Sequence, residues 1–210
     1  MAEQTTLTLY HAPSTRSVRV RWLLEEMGLD YTLIPVQFDK RPAGDEAYAQ
    51  IHPLRKVPAL TDGDERIFES IAIMQYVMGR YGPTELDVKP DESDYGTYLQ
   101  WLHFGEAGMM LPVSLLLAHT VLLPEKARSE SIAKSAKQDV DKLLDMLGST
   151  GLERREYLAA DRFTAADVSV GYMLYLLKLI GQLGDAPDTV KAYFRHLTGR
   201  AGWKTASARD

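Results

Sequence analysis

The strongest constraint on the fold is a change in the hydrophobic pattern about eighty residues into the chain. Before that point, apolar residues alternate between the two-residue period of strands and the three-to-four-residue period of helices. Residues 82–93 are rich in glycine, proline and acidic side chains, and every later segment has the helical period. The pattern therefore predicts an α/β domain over residues 1–82, a linker over 83–93 and an all-helical domain over 94–210.

The first domain is predicted to have the element order βαβαββα. The second strand is parallel to the first if the intervening helix is a crossover, and Asp62-Gly63-Asp64 is a strong hairpin turn. The predicted elements are strands at 6–10, 31–36, 57–60 and 66–68, helices at 18–28 and 70–81, and one short helix within 39–50. The second domain is predicted to have helices at 94–123, 125–147, 164–180 and 187–197, with a short one around Trp203.

The composition excludes several kinds of function. A net charge of −5 disfavours nucleic acid as a partner, and Arg16, Arg19 and Arg21 are expected to form a solvated helix face. The chain has no cysteine, which excludes disulfides, zinc–thiolate sites and a cysteine nucleophile. Any thiol chemistry therefore requires a thiol from a co-substrate. The five histidines have no metal-ligand spacing, so no metal is expected.

No membrane partner is expected either. The longest apolar stretch, 109–123, is interrupted by polar residues and proline and is too short to span a bilayer. The first residues lack the basic and apolar regions of a secretion signal. The expected location is therefore the cytoplasm.

The segment Pro13–Ser17 joins the first strand to the first helix and contains three hydroxyl groups. A helix N-terminus presents free N–H groups and a partial positive charge, which stabilise an anion. Ser14 is placed to donate a hydrogen bond to a thiolate there, although the segment alone favours a simple helix cap.

Two further pairs of residues suit a bound peptide. A cis bond at Val57–Pro58 would expose the backbone of Val57 to an added strand, although such pairs are also common at sheet edges. Glu69 and Ser70 begin a helix, so the N–H groups and the Ser70 hydroxyl would hold a carboxylate while Glu69 holds an ammonium. An ordinary capped helix is an equal alternative. Farther on, Thr164 and Asp167 predict a capping box with a structural role.

Taken in their order along the chain, these motifs resemble those of the cytosolic glutathione transferase superfamily. Residues 51–60 and 68–73 are similar to its glutathione-binding signature, 164–167 to its capping box and 192–201 to its last helices. The resemblance covers nearly the whole chain. It implies a thioredoxin-like N-terminal domain, an all-helical C-terminal domain and a homodimer.

The resemblance also implies a site for glutathione on the first domain. Glutathione's glycyl end would lie near His52 and Lys56, its cysteinyl backbone would pair with Val57 before Pro58, and its γ-glutamyl end would contact Glu69 and Ser70. Arg55 and His52 depart from the glycine and asparagine that are usual at their positions. The electrophile would sit between the domains. The expected pocket residues are His11, Tyr98, Trp101, His103, Phe104 and Met110.

The residue that activates the thiol is left open among four hydroxyls. Spacing to Gly28 puts Ser14 where serine-type classes have their catalytic hydroxyl and Tyr10 where tyrosine-type classes have theirs. The segment looks more like the serine type, which favours Ser14, with Tyr10, Thr15 and Ser17 as alternatives.

The expected activity is addition of the activated glutathione thiolate to a hydrophobic electrophile, in detoxification. The alternatives are a glutathione-dependent peroxidase, dehalogenase or isomerase, and a non-enzymatic binding protein on the same fold.

Overall fold

The protein divides into two compact units in its structure, a computed structural model that describes residues 7–38 and 42–208. The first unit runs to Leu86 and also includes the chain from Gly199 onward, and the second unit is Asp87–Thr198. This differs from the sequence-based division, which assigned residues 94–210 to one domain. The last residues join the first unit because Trp203 packs on Trp22, with ring centroids 4.8 Å apart, and Arg200 binds Glu26 at 2.7 Å.

The first unit contains a four-stranded mixed sheet with the order β2-β1-β3-β4. β1 and β2 are parallel, whereas β3 is antiparallel to both β1 and β4. This confirms the predicted thioredoxin-like domain. Its elements are β1 (Leu7–His11), α1 (Ser17–Met27), β2 (Thr32–Pro35), β3 (Ala59–Asp62), β4 (Glu65–Phe68), α2 (Ser70–Tyr81) and, from the chain's end, α8 (Ala201–Ala206).

Two boundaries in this unit differ from the sequence prediction. The expected second helix is a single 3₁₀ turn at Ala47–Gln50, and part of the predicted range, residues 39–41, lies outside the described residues. The third strand begins at Ala59 instead of residue 57, directly after the Val57–Pro58 bond, which is cis. The prediction of a cis bond here is confirmed.

Helix α1 is buried along its first eight residues, not on one face only. The expected solvated arginine face is therefore wrong: Arg19 is 0% exposed and Arg21 is 5% exposed. α1 packs against β1, α2 and α8, so almost no side of it is left to solvent. Gly28 ends the helix in the left-handed conformation, with a φ of 63°, as expected for a glycine at this position.

The second unit is entirely helical, as predicted. Its first helical stretch runs from Tyr95 to Leu122 and contains two π-helical segments, at Phe104–Gly108 and Ala118–Leu122. The helix predicted from residue 125 begins only at Glu130, because Ser129 caps it by accepting a hydrogen bond from the Ile132 N–H. The helices are α3 (Tyr95–His103), α4 (Met110–Leu117), α5 (Glu130–Met146), α6 (Ala165–Leu179) and α7 (Asp188–Thr198).

The start of the second unit is tied to its helices by ion pairs. Arg162 donates to both carboxylate oxygens of Glu92, at 2.8 and 3.0 Å, and to the carbonyl of Asp87 at 3.0 Å. Arg155 pairs with Asp94. Most of the segment predicted as a linker is therefore held in place as part of this unit.

The predicted capping box at the start of α6 is present and is the polar centre of the unit. The fully buried Asp167 carboxylate accepts hydrogen bonds from the Leu158 N–H, the Thr164 N–H and hydroxyl, and the Tyr193 hydroxyl, at 2.8 to 3.1 Å. Burial nevertheless raises the pKa of Asp167 to about 6. One side chain thus joins the loop before α6, the helix itself and α7.

We predict that Asp167→Ala destabilises the protein by about 3–5 kcal/mol, because several buried donors lose their acceptor at once. The measurement is the free energy of unfolding from urea denaturation. Asp188→Ala is the matched control, since that first-turn aspartate is 98% exposed and forms a surface ion pair with Lys191. A loss in the Asp167 variant no larger than in this control would contradict the structural role.

Candidate active site

The register of the sheet brings three of the predicted site segments to the same end. Tyr10 in β1 pairs with Ala59 in β3, and Ala59 pairs with Phe68 in β4. Three segments therefore emerge side by side at this end of the sheet: the one after β1, the one before β3 and the one after β4. These are the segments that carry Ser14, Val57 and Ser70.

Ser14 lies in a tight turn between β1 and α1 and is half-buried. Its φ is 59°, in the left-handed region that residues other than glycine rarely adopt. Strained backbone of this kind is concentrated at functional sites, where the surrounding structure holds it. Ser14 is thus presented just before the first turn of α1, at the positive end of the helix dipole.

The neighbouring hydroxyls of Thr15 and Ser17 are buried and bonded to each other at 2.7 Å. Thr15 Oγ1 donates to the Ala12 carbonyl at 2.7 Å, and Ser17 Oγ accepts from the Ala12 N–H at 3.1 Å. His11, predicted as an electrophile contact, is 4% exposed, and its Nδ1 lies 2.8 Å from Ser17 Oγ. These three side chains form an internal network.

The side chain of Tyr10 belongs to a small hydrophobic cluster. Its ring lies 5.6 Å from that of Tyr48, and the two line an open cavity of about 430 Å³ together with residues of β2 and of the 3₁₀ turn. Tyr48 is fixed by a hydrogen bond of 2.8 Å from its hydroxyl to the Lys56 carbonyl. The Tyr10 ring is therefore used in packing beside the sheet.

The Val57 backbone is available for pairing. Among residues 7–38 and 42–208, neither its N–H nor its C=O forms a hydrogen bond with another backbone group. Its side chain is buried in the same cluster as Tyr48. A main chain that is held in place yet unpaired is suited to adding an extended peptide as a further strand.

Ser70, the first residue of α2, is bonded to a buried cation. The Arg19 Nη1 donates to Ser70 Oγ at 3.2 Å, and the two residues are 0% and 2% exposed. Because the oxygen of Ser70 accepts from Arg19, its own hydroxyl proton is directed elsewhere. Glu69 beside it is exposed and has a φ of 67°. A guanidinium, a hydroxyl and the start of a helix together favour a carboxylate at this point.

His52 and Lys56 have different environments. His52 is 6% exposed, its ring stacks on Phe68 at 4.3 Å, and its Nδ1 accepts the Leu54 N–H at 3.1 Å. Burial, followed by the nearby Lys56 ammonium, lowers the pKa of His52 below its usual value. Lys56 is exposed. The histidine thus holds the loop, whereas the lysine presents its charge to solvent.

Arg55, which stands where glycine is usual, has a left-handed φ of 47°. Its guanidinium donates to the Ala43 carbonyl at 3.0 Å and to the Gly44 carbonyl, and its own carbonyl accepts the Ala43 N–H at 2.9 Å. The arginine therefore joins the loop before β3 to the turn at residues 43–44. Neither this role nor that of Arg19 was predicted. For Arg55, the one sequence signal was the departure from the glycine that the resemblance leads us to expect at its position.

The predicted electrophile residues of the second unit fall into two groups. Tyr98 and Trp101 are each 2% exposed and belong to the core, where Trp101 packs against Gly151. Phe104 and Met110 are half-buried, and His103 is exposed. The Phe104 ring stands edge-on to Trp101, with centroids 5.1 Å apart.

No group of three or more His, Asp or Glu side chains able to hold a metal ion occurs among the described residues. The site includes the cationic side chains of Arg19, Lys56 and Arg55.

The amino-terminal part of the chain matches a known family model. Residues 5–79 match the model of the N-terminal domain of glutathione S-transferases. A glutathione S-transferase of Arabidopsis thaliana is 31% identical over 97% of this chain and 97% of its own length. Glutathione S-transferase 3 of Zea mays is 34% identical over 78% of this chain and 74% of its own length.

Solved structures of similar proteins agree over nearly the whole chain. A structure of glutathione S-transferase III without ligand is 28% identical, with a TM-score of 0.79 over 96% of this chain and 95% of that one. A glutathione transferase of Phanerochaete chrysosporium in complex with oxidized glutathione is 26% identical, with a TM-score of 0.85 over 98% of this chain and 96% of that one.

We predict that Arg55→Gly is more stable than Arg55→Ala by about 1 kcal/mol. Both variants lose the hydrogen bonds to residues 43 and 44, but only glycine adopts the left-handed φ without strain. The two free energies of unfolding from chemical denaturation give the comparison. Equal stabilities, or a more stable alanine variant, would mean that the backbone relaxes once the guanidinium is removed.

Proposed function

The chain belongs to the glutathione transferase family, and we propose that it adds the activated thiolate of glutathione to a hydrophobic, electrophilic small molecule. The observation that carries this proposal is the convergence of Ser14, Val57 and Ser70 at one end of the sheet. A hydroxyl beside a helix N-terminus, an unpaired backbone and a carboxylate-binding helix start together match the three residues of glutathione.

The γ-glutamyl end of glutathione would bind at the start of α2. The Ser70 hydroxyl and the helix N–H groups would donate to its carboxylate, with buried Arg19 supplying positive charge behind them. The exposed Glu69 carboxylate would accept from the ammonium group. These contacts are made to the γ-glutamyl residue and not to the cysteinyl sulfur, so they serve binding and not the chemical step.

The middle and the glycyl end would bind along the loop before β3. The cysteinyl backbone would pair with the N–H and C=O of Val57, as an added strand does. The exposed Lys56 is the suitable partner for the glycyl carboxylate. His52 supports this loop through Leu54 and Phe68, so its contribution is to hold Lys56 and Val57 in position.

The sulfur would then lie beside Ser14, whose hydroxyl donates a hydrogen bond to the thiolate. A free thiol has a pKa near 8.5, and lowering it by about two units requires roughly 2.7 kcal/mol. A hydrogen bond to a charged group contributes about 1.5–3 kcal/mol, and the helix N-terminus adds to this. The proton leaves to solvent, and the thiolate attacks the electrophilic carbon to form the new carbon–sulfur bond. With an aryl halide, the carbon–halogen bond breaks and the halide leaves with its electron pair.

The environments of the four candidate hydroxyls support Ser14 as the one that activates the thiol. Thr15 and Ser17 are buried and bonded to Ala12 and to each other. Tyr10 packs against Tyr48 in a hydrophobic cluster. Ser14 is half-buried and held in a strained conformation at the helix start, which is the arrangement expected of a group that meets a ligand.

For the electrophile, we propose contacts with the side chains of the second unit that its core does not cover. Phe104 and Met110 offer apolar surface, and His103 offers a polar group. The buried Trp101 stands edge-on to Phe104 and fixes its aromatic ring, whereas Tyr98 is buried in the core. Reduced glutathione is maintained in the cytosol, which is the proposed compartment.

We further propose that a second copy of the chain covers an apolar groove between α4 and α5. The groove has a volume of about 620 Å³. Leu111 is 68% exposed there, and Leu122 at the end of the same helical stretch is 58% exposed. Tyr95–Leu122 is long and apolar enough to cross a membrane, yet only 28% of its most apolar part is buried in one chain. A large exposed apolar face of this kind is typical of an interface.

The proposed chemistry predicts that Ser14→Ala raises the pKa of enzyme-bound glutathione by about one unit or more, because the lost hydrogen bond stabilised the thiolate over the thiol. Glutathione affinity should change less, since the other contacts are retained. Turnover of a generic aryl halide should fall with the thiolate fraction. The measurement is the absorbance of the bound thiolate against pH, beside the conjugation rate.

Tyr10→Phe is the matched variant for this test. It should leave the pKa of the bound thiol nearly unchanged. A normal titration in Ser14→Ala with a raised one in Tyr10→Phe would reverse the assignment of the two hydroxyls. Glutathione binding without any conjugation by the wild-type protein would favour the non-enzymatic binding protein.

The proposed dimer predicts a mass in light scattering of about twice the 23.6 kDa of one chain. A double change of Leu111→Glu and Leu122→Glu should give monomers, because charge would have to be buried. Leu179→Glu is the control, since Leu179 is 45% exposed at the end of α6 and outside the groove. A strict monomer at micromolar concentration would contradict the dimer, and binding of the monomer to lipid vesicles would assign the face to a membrane.

A further inference from the structure

The turn that contains Ser14 is closed weakly by its own backbone. Residues Ala12 to Thr15 form the turn, and the bond from the Thr15 N–H to the Ala12 carbonyl is long, at 3.4 Å. Pro13 and Ser14 occupy its two central positions. When a turn has proline at its first central position and a residue with positive φ at its second, that second residue is normally glycine or asparagine. Serine with a φ of 59° at this position is strained, so something else must hold the turn.

The buried hydroxyls of Thr15 and Ser17, which come after Ser14, close the turn by binding Ala12, which comes before it. Thr15 Oγ1 donates to the Ala12 carbonyl at 2.7 Å, a shorter bond than the backbone one, and Ser17 Oγ accepts the Ala12 N–H at 3.1 Å. Both peptide groups of Ala12 are thereby bound to residues after Ser14. Ala12 is 1% exposed, Thr15 8% and Ser17 0%, so water does not compete strongly for these bonds.

The hydroxyls and His11 form a chain of short contacts. Thr15 Oγ1 and Ser17 Oγ are 2.7 Å apart, and Ser17 Oγ is 2.8 Å from His11 Nδ1 and 3.1 Å from the Ala12 carbonyl oxygen. Each hydroxyl has only one proton to donate. One arrangement supplies a proton to all three of the shortest contacts: His11 Nδ1–H donates to Ser17, Ser17 donates to Thr15, and Thr15 donates to the Ala12 carbonyl. In that arrangement the Thr15 hydroxyl is the last donor of a relay that begins at His11.

We propose that Thr15 and Ser17, supported by His11, are positioning residues that hold Ser14 in its left-handed conformation and so direct its hydroxyl to the glutathione sulfur. The inference rests on the proposed role of Ser14. Without the bonds to Ala12, Ser14 relaxes toward negative φ, which moves both its hydroxyl and the neighbouring N–H groups. A displacement of about 1 Å at a reacting group can reduce a rate about a hundredfold.

Thr15→Val is the decisive variant, because valine keeps the shape of threonine and removes only the hydroxyl. We expect it to raise the pKa of bound glutathione by about one unit, a tenfold change in the thiolate equilibrium. Glutathione affinity should remain close to that of the wild type. Thr15→Ser restores the hydroxyl and should return the pKa to the wild-type value. If Thr15→Val does not fold, Ser17→Ala gives the same readout.

The double variant Ser14→Ala with Thr15→Val separates positioning from general loosening of the structure. If Thr15 acts through Ser14, the double variant has the same pKa of bound thiol as Ser14→Ala alone. The inference would be overturned if the pKa shifts of the two single variants add in the double variant, or if Thr15→Val has the wild-type pKa. Either result would leave the role of Ser14 intact. An unchanged pKa in Ser14→Ala would instead remove the proposed role of Ser14, and the network would have no reactive residue to position.

Discussion

The candidate site depends above all on the antiparallel pairing of β3 with β1 on one side and β4 on the other. Ala59 is the residue that pairs with both Tyr10 and Phe68. A shift of one residue in either pairing would turn the following side chains to the other face of the sheet. The register is fixed by the core, since Leu9 and Leu60 oppose each other and both are fully buried. The positions of Ser14, Val57 and Ser70 relative to one another are therefore a consequence of hydrophobic burial, not of contacts among themselves.

Strained backbone marks the same end of the sheet. Of the five residues other than glycine with positive φ among those described, Ser14, Arg55 and Glu69 lie in the segments that begin or end there. For two of them the compensation is visible. Ser14 has the hydroxyl network around Ala12, and Arg55 has its bonds to residues 43 and 44. Conformations that cost about 1–3 kcal/mol each are retained where they present a group to a ligand.

Much of this arrangement could be predicted from the sequence, and the failures have physical reasons. The turn at Ser14 and the helix start at Ser70 could be predicted because short motifs encode turns and helix starts, which are local; that these residues bind glutathione stays a prediction. The buried Arg19 was missed because charge suggests solvent, and the sequence does not reveal that α2 and α8 cover the remaining sides of α1. The assignment of the last residues to the first unit was missed for the same reason. Helical periodicity predicts α8, but not that Trp203 packs on Trp22, far earlier in the chain.

Arg19 shows how the core and the site are connected. Burying a guanidinium is costly unless it is hydrogen-bonded, and a core built for stability alone would place an apolar residue at this position. Arg19 Nη1 instead donates to Ser70 Oγ, so the Ser70 hydroxyl proton is left for another acceptor. A carboxylate bound at the start of α2 would meet that donor and a positive charge that is already desolvated. The cost of desolvating Arg19 is met during folding, so it does not reduce the binding energy when the ligand binds.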